Sequence, residues 1–280
     1  MRIQHKEQFG FVTIAQNTDT VDYLNLAYLQ AKNVKQTQKN SKYAVIVDAA
    51  TKEKITEKHL AVFDYVIDIP TDLNPIHSKW KLLNEWQVFW LTPFKETIKL
   101  ESDLLFTRSI DHWLPALRKR DIVLSVGCKN YKGQTSQVRK YRRLFDDNQL
   151  PDVYNGLMYF RYSQTATQFF STARRILENW DSVRDHALRN CREETPSTDV
   201  LYAIAAQLIG RENCTIPSLD FFNFVHMKPG IQGWADENKW TDTVLVETDR
   251  SMIRINNQNQ YYPVHYYEKT FPNEFLNDTE

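Results

Sequence analysis

Glu101 and Asp103 stand two positions apart where the apolar-rich run TIKL gives out. Two carboxylates so placed at the end of a buried strand can both turn towards one cation as the chain leaves the sheet. Hard oxygen ligands of this kind suit Mg²⁺ or Mn²⁺ bridging a diphosphate. Taken alone, the pair is equally at home in a solvated turn. His226 closes a second apolar run, FFNFVH. Its imidazole is a good Mn²⁺ ligand, although a single histidine is more often an ordinary core or surface residue. Two further polar features end apolar runs, the stretch from Thr13 to Asn17 and Asp48. Other common chemistries lack their residues. There is no glycine-rich loop of the P-loop or dinucleotide type, no G-x-S-x-G elbow and no H-E-x-x-H pair, which removes most nucleotidases, dehydrogenases and hydrolases of common type.

The elements that must position these groups alternate in type. Phe9–Gln16 is a short β-rich run, after which Val21, Leu24, Tyr28, Ala31 and Val34 recur at helical spacing. Tyr43–Asp48, YAVIVD, has the continuous apolar pattern of a strand covered on both faces. Ile55–Phe63 predicts a helix, Tyr65–Pro70 a third strand, and the Trp-rich Lys79–Leu91 a helix leading into a strand over Thr97–Leu100. This β-α-β-α-β-α-β order predicts an α/β fold with a mainly parallel sheet flanked by helices. In such a sheet ligands bind at the carboxyl ends of the strands, where all four polar features fall. Strands are also expected over Asp121–Val126, Tyr154–Arg161 and Phe221–His226, and helices over Thr165–Trp180 and Thr198–Ile209. Met252–Ile255 and Tyr261–Tyr267 flank the polar stretch NNQNQ, which predicts a C-terminal β-hairpin. No repeat or linker marks a boundary, so residues 1–280 are expected to form one mixed domain.

Composition narrows the function classes. With 15 Phe, 14 Tyr and 7 Trp in 280 residues the chain has material for a sizeable core, so wholesale disorder is excluded. Thirty-five basic residues balance 35 acidic ones, so any nucleic-acid partner must be held by a local patch. Such a patch exists in Lys129–Arg143, which holds six basic residues and no acidic one, with Tyr131 and Tyr141 among them. It reads either as a phosphate-contact surface or as a solvated loop balanced by the following Asp146 and Asp147. No apolar run approaches the ~18 residues of a membrane span, and MRIQHKEQFG lacks the apolar region of a signal peptide. Cys128, Cys191 and Cys214 are odd in number and have no metal-ligand spacing. The expectation is a soluble, cytoplasmic protein without a membrane partner.

Six blocks, in order, resemble the glycogenin-like family 8 glycosyltransferases of the GT-A fold. FVTIAQN is similar to that family's opening strand and nucleoside-binding turn, and AVFDYVIDIP to its third strand. Ser78–Ile110 resembles its lysine-bearing helix and D-x-D strand. DVYNGLMYFR resembles the F-N-x-G-V strand, STDVLY the D-Q-x-x-L-N helix start, and FVHMKPGIQGW the closing H-x-x-G-x-x-K-P-W segment. The resemblance implies a single GT-A domain, with a nucleotide-binding half over residues 1–110 and an acceptor half over 111–280. It also implies that Glu101, Asp103 and His226 hold a divalent cation, Mn²⁺ or Mg²⁺, that clamps the diphosphate of a nucleotide sugar. Lys228 and Lys81 would lie near that diphosphate; Thr13, Ala15 and Asn17 would line the nucleoside pocket; Asn155 and Asp199 would face the donor sugar. Cleaving a sugar–phosphate bond develops negative charge on the leaving group, which a cation and lysines stabilise. The chain departs from the pattern at three positions: Glu101 replaces the first Asp, Val200 replaces the usual Gln, and Lys228 follows His226 by only two residues.

WKLLNEWQVFWLTPFKETIKLESDLLF and YRRLFDDNQLPDVYN are also similar to the glycosyltransferases of T-even-like phages that decorate 5-hydroxymethylcytosine in DNA, the arabinosyltransferase type among them. That resemblance implies a UDP-sugar donor, double-stranded modified DNA as acceptor, and the cytoplasm of an infected host. The hydroxymethyl oxygen would attack the anomeric carbon, with the base flipped from the duplex. Lys129, Lys132, Arg139, Lys140, Arg142 and Arg143 would hold the DNA backbone. Two alternatives stay open: a glycan or protein acceptor, and a catalytically silent nucleotide-sugar or DNA-binding module.

Overall fold

A computed structural model of the protein describes residues 7–74, 81–136, 142–215, 220–228, 246–249, 252–266 and 269. The strands described are β1 (Glu7–Ala15), β2 (Tyr43–Val47), β3 (Tyr65–Asp68), β4 (Phe94–Leu100), β5 (Leu104–Leu105), β6 (Ile122–Val126), β7 (Val153–Arg161), β8 (Val225–Met227), β9 (Val246–Asp249), β10 (Met252–Ile255), β11 (Gln258–Asn259) and β12 (Val264–Tyr266). Six of them form the central sheet in the order β3-β2-β1-β4-β7-β6. The pairs β3–β2, β2–β1 and β1–β4 are parallel, and β7 runs antiparallel to both of its neighbours. The mixed, mainly parallel sheet expected from the sequence is therefore present.

Both faces of the sheet are covered, which is why all five residues of YAVIV are buried. On β1, alternate side chains go to opposite layers. Phe11 and Ala15 pack with Leu24, Ala27, Ala31 and Val34 of the helix Tyr23–Thr37. Val12 and Ile14 belong to the opposite layer, with Phe169 and Phe170 of the helix Gln164–Glu178 and Tyr202 of the helix Thr198–Ile209. Gly10 is needed in this strand, because a Cβ there would meet the Phe94 ring at 2.4 Å.

Several expected elements differ in length. Instead of one helix over Lys79–Leu91, a 3₁₀ turn at Glu85–Gln87 runs into a short helix, Val88–Leu91; residues 79 and 80 lie outside the described residues. Asn84 is the reason. Its side chain accepts from the Leu73 N–H at 3.0 Å and donates to Asp72 and Gln16, and such local bonds compete with helix formation. Over Ile55–Phe63 only Glu57–Leu60 is helical. The strand expected at Phe221–His226 is Val225–Met227, since Asn223 ties its amide to the Val126 carbonyl.

The C-terminal hairpin is tighter than the sequence pattern suggests. Asn256 and Asn257 both have positive φ, 46° and 64°, as a two-residue hairpin turn requires and asparagine tolerates. The turn pairs β10 with the short β11, not with the Tyr261–Tyr267 run. That run supplies β12, which pairs parallel to β8 and antiparallel to β5 in a separate three-stranded sheet. This displacement of β12 brings a C-terminal strand to the functional site. Cys128, Cys191 and Cys214 form no disulfide. Among the described residues no helix is long and apolar enough to cross a membrane.

Candidate active site

The turn after β4 carries the acidic pair. The Leu104 N–H donates to the Glu101 carbonyl at 3.2 Å, so both carboxylates leave one tight turn. Gln30, buried in the helix Tyr23–Thr37, donates to the carbonyls of Glu101 and Leu104, each at 2.6 Å. From the other side, the Tyr266 N–H of β12 donates to the Asp103 carbonyl at 3.0 Å. Sequence patterning missed Gln30, and a polar residue among the buried positions of an amphipathic helix was the signal for it.

An irregularity in the sheet shapes the adjoining wall. Between β6 and β7 the register jumps from Leu124↔Met158 to Ser125↔Tyr154. Asn155 and Gly156 are thereby released from the β6 ladder, as bulges beside functional sites often allow. The Asn155 amide Nδ2 donates to Glu101 Oε1 at 3.2 Å. Gly156 accepts from the Glu101 N–H, and a Cβ on it would lie 3.3 Å from Phe224 and 3.5 Å from Glu101 Oε2.

Glu101, Asp103 and His265 converge, with one ligand atom from each lying within 4.8 Å of the others. His265 Nε2 is 2.9 Å from Asp103 Oδ1 and 3.1 Å from Glu101 Oε2. The Lys269 ammonium pairs with Asp103 Oδ2. His226, expected as the third ligand, lies one strand away on β8 with its ring stacked on that of His265. His265 was not singled out from the sequence; its position amid the aromatic run YYPVHYY became informative only once β12 paired with β8.

Electrostatics follow from this cluster. Burial alone would raise the Asp103 carboxyl, but the charges of His265 and Lys269 hold it far below the ordinary carboxylate range. Burial likewise opposes ionisation of Glu101, and the hydrogen bond and charge of His265 bring it below the usual value. His265 is raised to about 9, its burial outweighed by Asp103 and Glu101. Burial, helped by the charges of His265 and Lys228, holds His226 well below 6.5. Two carboxylates that already draw a protonated ring and an ammonium to one point fit a Mn²⁺- or Mg²⁺-type ion, with His265 as a further ligand once its proton is displaced.

The cluster opens into a cleft of about 340 Å³ at the carboxyl end of the parallel strands. Lys81, Lys228, Asp199 and Lys269 line it, as the acidic pair and both histidines do. At the β1 end the lining residues are Ile14, Gln16 and Tyr23, which corrects the expected nucleoside contacts. Thr13 and Ala15 are fully buried on the other face of β1, where the Thr13 hydroxyl donates to the Leu100 carbonyl. Asn17 is tied to Asp22 and to the Leu24 N–H at the start of the following helix. Gln16 is the side chain that faces the cleft, with its amide fixed by Asp48, Asn74 and Asn84. Lys81 approaches Asp48 at 3.8 Å.

Asp199 is held on both oxygens. Oδ1 accepts from the Asn155 N–H at 2.7 Å and Oδ2 from Arg142 at 2.6 Å. Arg142 also binds Asp152 and the Val153 carbonyl, and its guanidinium lies 4.0 Å from the centre of the Tyr154 ring. With its side chain only 3% exposed, Arg142 is not a DNA-backbone contact as expected. Lys129 is corrected in the same way, being 3% exposed and paired with Asp220 and Thr135. Lys132 and Arg143 are exposed, Arg143 lying 3.7 Å from Asp147. Arg139 and Lys140 lie outside the described residues.

No family model matches the chain, and no curated protein does. Solved structures similar to it include the galactosyltransferase LgtC in complex with donor and acceptor sugar analogs, at 12% identity over 75% of this chain and 73% of that one, with a TM-score of 0.46. The bifunctional glycosyltransferase WbbM gives 12% identity over 85% of this chain and 43% of that one, with a TM-score of 0.48. Mouse xyloside xylosyltransferase 1 gives 8% identity over 75% of this chain and 84% of that one, with a TM-score of 0.44. These likenesses concern the fold of the chain.

Proposed function

We propose that the protein is a metal-dependent glycosyltransferase that moves a sugar from a nucleoside-diphosphate sugar to a hydroxyl acceptor. The observation that carries this reading is the convergence of Glu101, Asp103 and His265 in a cleft at the carboxyl end of a mainly parallel sheet. A divalent ion bound there supplies charge stabilisation for the departing diphosphate. The rest is done by the chain. Asn155 orients Glu101, and His265 stands against both carboxylates. Lys228 and Lys269 line the cleft beside them and meet negative charge as the bond between the anomeric carbon and the phosphate oxygen breaks. Burial lowers the Lys228 ammonium from its ordinary value, so a bound diphosphate favours its charged form. Asp199, locked by Arg142, sets the backbone of Asn155. Gln16 and Tyr23 face the nucleoside end, and UDP is the donor nucleotide of this reading.

The acceptor hydroxyl has two settings, each with its own support. The resemblance to phage enzymes, together with the exposed Lys132 and Arg143, supports 5-hydroxymethylcytosine in duplex DNA. Burial of Lys129 and Arg142 removes two of six expected backbone contacts and supports a glycan or protein acceptor instead. The test is a Mn²⁺-dependent assay with labelled UDP-sugars, with hydroxymethylated DNA, unmodified DNA and free sugars as acceptors. Hydrolysis or transfer that needs the metal and is lost in Asp103→Asn supports the transferase reading. Donor turnover unaffected by chelator or by Asp103→Asn sinks it. Transfer to hydroxymethylated DNA alone selects the DNA acceptor.

A further inference from the structure

Beneath the acidic pair lies a buried charge pair that the proposed chemistry does not use. Lys99, two residues before Glu101 on β4, is completely buried, and its ammonium is 2.7 Å from Glu85 Oε2. The Asn155 amide reaches the same Oε2 at 3.4 Å and Glu101 at 3.2 Å. One amide therefore joins Glu85 to the carboxylate expected to hold the metal. Glu85 itself lines the cleft. Among the described residues both of its contacts fall on Oε2, so Oε1 keeps its lone pairs for whatever enters.

A buried ion pair is a poor stabiliser, because well-packed apolar residues of similar volume serve as well or better. Its place in the cleft floor calls for another reason. The helix that begins at Thr198 offers the cleft Asp199, whose two oxygens are already engaged, and next to it the buried, apolar Val200. Val200 offers a sugar no side-chain hydrogen bond there, and Asp199 keeps one acceptor site on each oxygen. Glu85, one amide away from Glu101, has capacity to spare.

We propose that Glu85 selects the donor sugar: its carboxylate, held by Lys99 and Asn155, accepts hydrogen bonds from adjacent hydroxyls of a neutral sugar and repels sugars that carry a carboxylate of their own. The inference rests on the nucleotide-sugar reading above and names a property of that same cleft. Hydroxyl-to-carboxylate bonds in a site shielded from water are among the stronger ones, and an unpaired partner there is costly.

The experiment measures binding of UDP, UDP-glucose, UDP-galactose, UDP-arabinose and UDP-glucuronic acid by calorimetry with Mn²⁺ present. In the wild type a neutral UDP-sugar binds more tightly than UDP, and UDP-glucuronic acid more weakly. In Glu85→Gln the advantage of the neutral sugar over UDP shrinks about tenfold, while UDP affinity stays within about twofold. Glu85→Gln leaves the Lys99 charge buried and can unsettle the fold, so the double variant Glu85→Leu with Lys99→Met, which removes both charges, is measured beside it and shows the same loss. Equal weakening of UDP and UDP-sugar, or an unchanged ratio in both variants, overturns the role of Glu85 and leaves the transferase reading standing. A wild type that binds neither UDP nor any UDP-sugar takes down both.

Discussion

His265 and His226 stack ring on ring, with centroids 4.6 Å apart and planes 5° from parallel. They are direct neighbours in the parallel pairing of β12 with β8, so each side chain has the same orientation relative to the acidic turn. Only His265 is in contact with the carboxylates. His226 backs it, ring against ring. In metal sites the group behind a ligand matters less than the ligand itself, though its loss still costs about tenfold or more in affinity. His265→Ala is therefore expected to weaken Mn²⁺ binding by about a hundredfold or more, and His226→Ala by less. Electron paramagnetic resonance of free Mn²⁺ measures both. The reverse order would make His226 the ligand and His265 its support.

The Lys269 ammonium pairs with Asp103 Oδ2. An incoming cation has to displace that ammonium from the carboxylate, and it also meets its repulsion. Lys269→Met is therefore expected to bind Mn²⁺ more tightly, by about tenfold, one such increment corresponding to about 1.4 kcal/mol. Lys269→Arg keeps the charge and is expected to stay near the wild type. Unchanged or weaker Mn²⁺ binding in Lys269→Met would mean that the ammonium assists the metal instead of competing with it.

Much of the sheet was legible because its signal is local. YAVIV is a continuous apolar stretch, IVLSV and the β7 run are rich in β-branched, aromatic and other apolar residues, and the order of elements up to β4 follows from alternation of strand and helix. The acidic turn was legible for the same reason, since it ends such a strand. What was not legible depends on pairing between distant segments. Nothing in YYPVHYY says that β12 leaves the hairpin and lies beside β8. Asn256 and Asn257, by closing their turn in two residues, free it to do so. The basic segment misled at Lys129 and Arg142, because charge in a sequence says nothing of partners: Asp152, Asp199 and Asp220, which pair with them, all lie outside the segment.

His59 gives a pH dependence separate from the cleft. Burial, then the charge of Lys58, holds its imidazole below the ordinary 6.5. It packs against Tyr28 and Phe63 and accepts from the Thr56 N–H. A histidine whose folded pKa is lowered binds fewer protons folded than unfolded. Its contribution to stability is thus complete above 6.5 and is lost as pH falls through the lower folded value. The difference in thermal midpoint between wild type and His59→Gln is expected to narrow from about pH 7.5 to about pH 5. A difference that widens towards acid would show that His59 is protonated in the folded protein.

Arg142 is the keystone behind the acidic cluster, and its removal tests how far support travels. Its guanidinium holds Asp199, Asp199 holds the Asn155 backbone, and the Asn155 side chain holds Glu101. Arg142→Met keeps length and packing against Phe145 and Tyr154 but takes the guanidinium charge away from Asp152 and Asp199, both partly buried. Breaking a buried pair from one side costs about 3 kcal/mol or more, whereas an exposed pair costs about 1 kcal/mol at most. Urea unfolding of Arg142→Met is expected to give the larger loss. With Asn155 no longer set from behind, Mn²⁺ affinity is expected to fall as well. Adding Asp199→Asn removes the charge that faced the guanidinium at 2.6 Å and is expected to recover part of the stability but not the metal affinity, since the Asn155 N–H then loses its charged acceptor. Full stability together with unchanged Mn²⁺ binding in Arg142→Met would show that the cluster is held by the acidic turn alone.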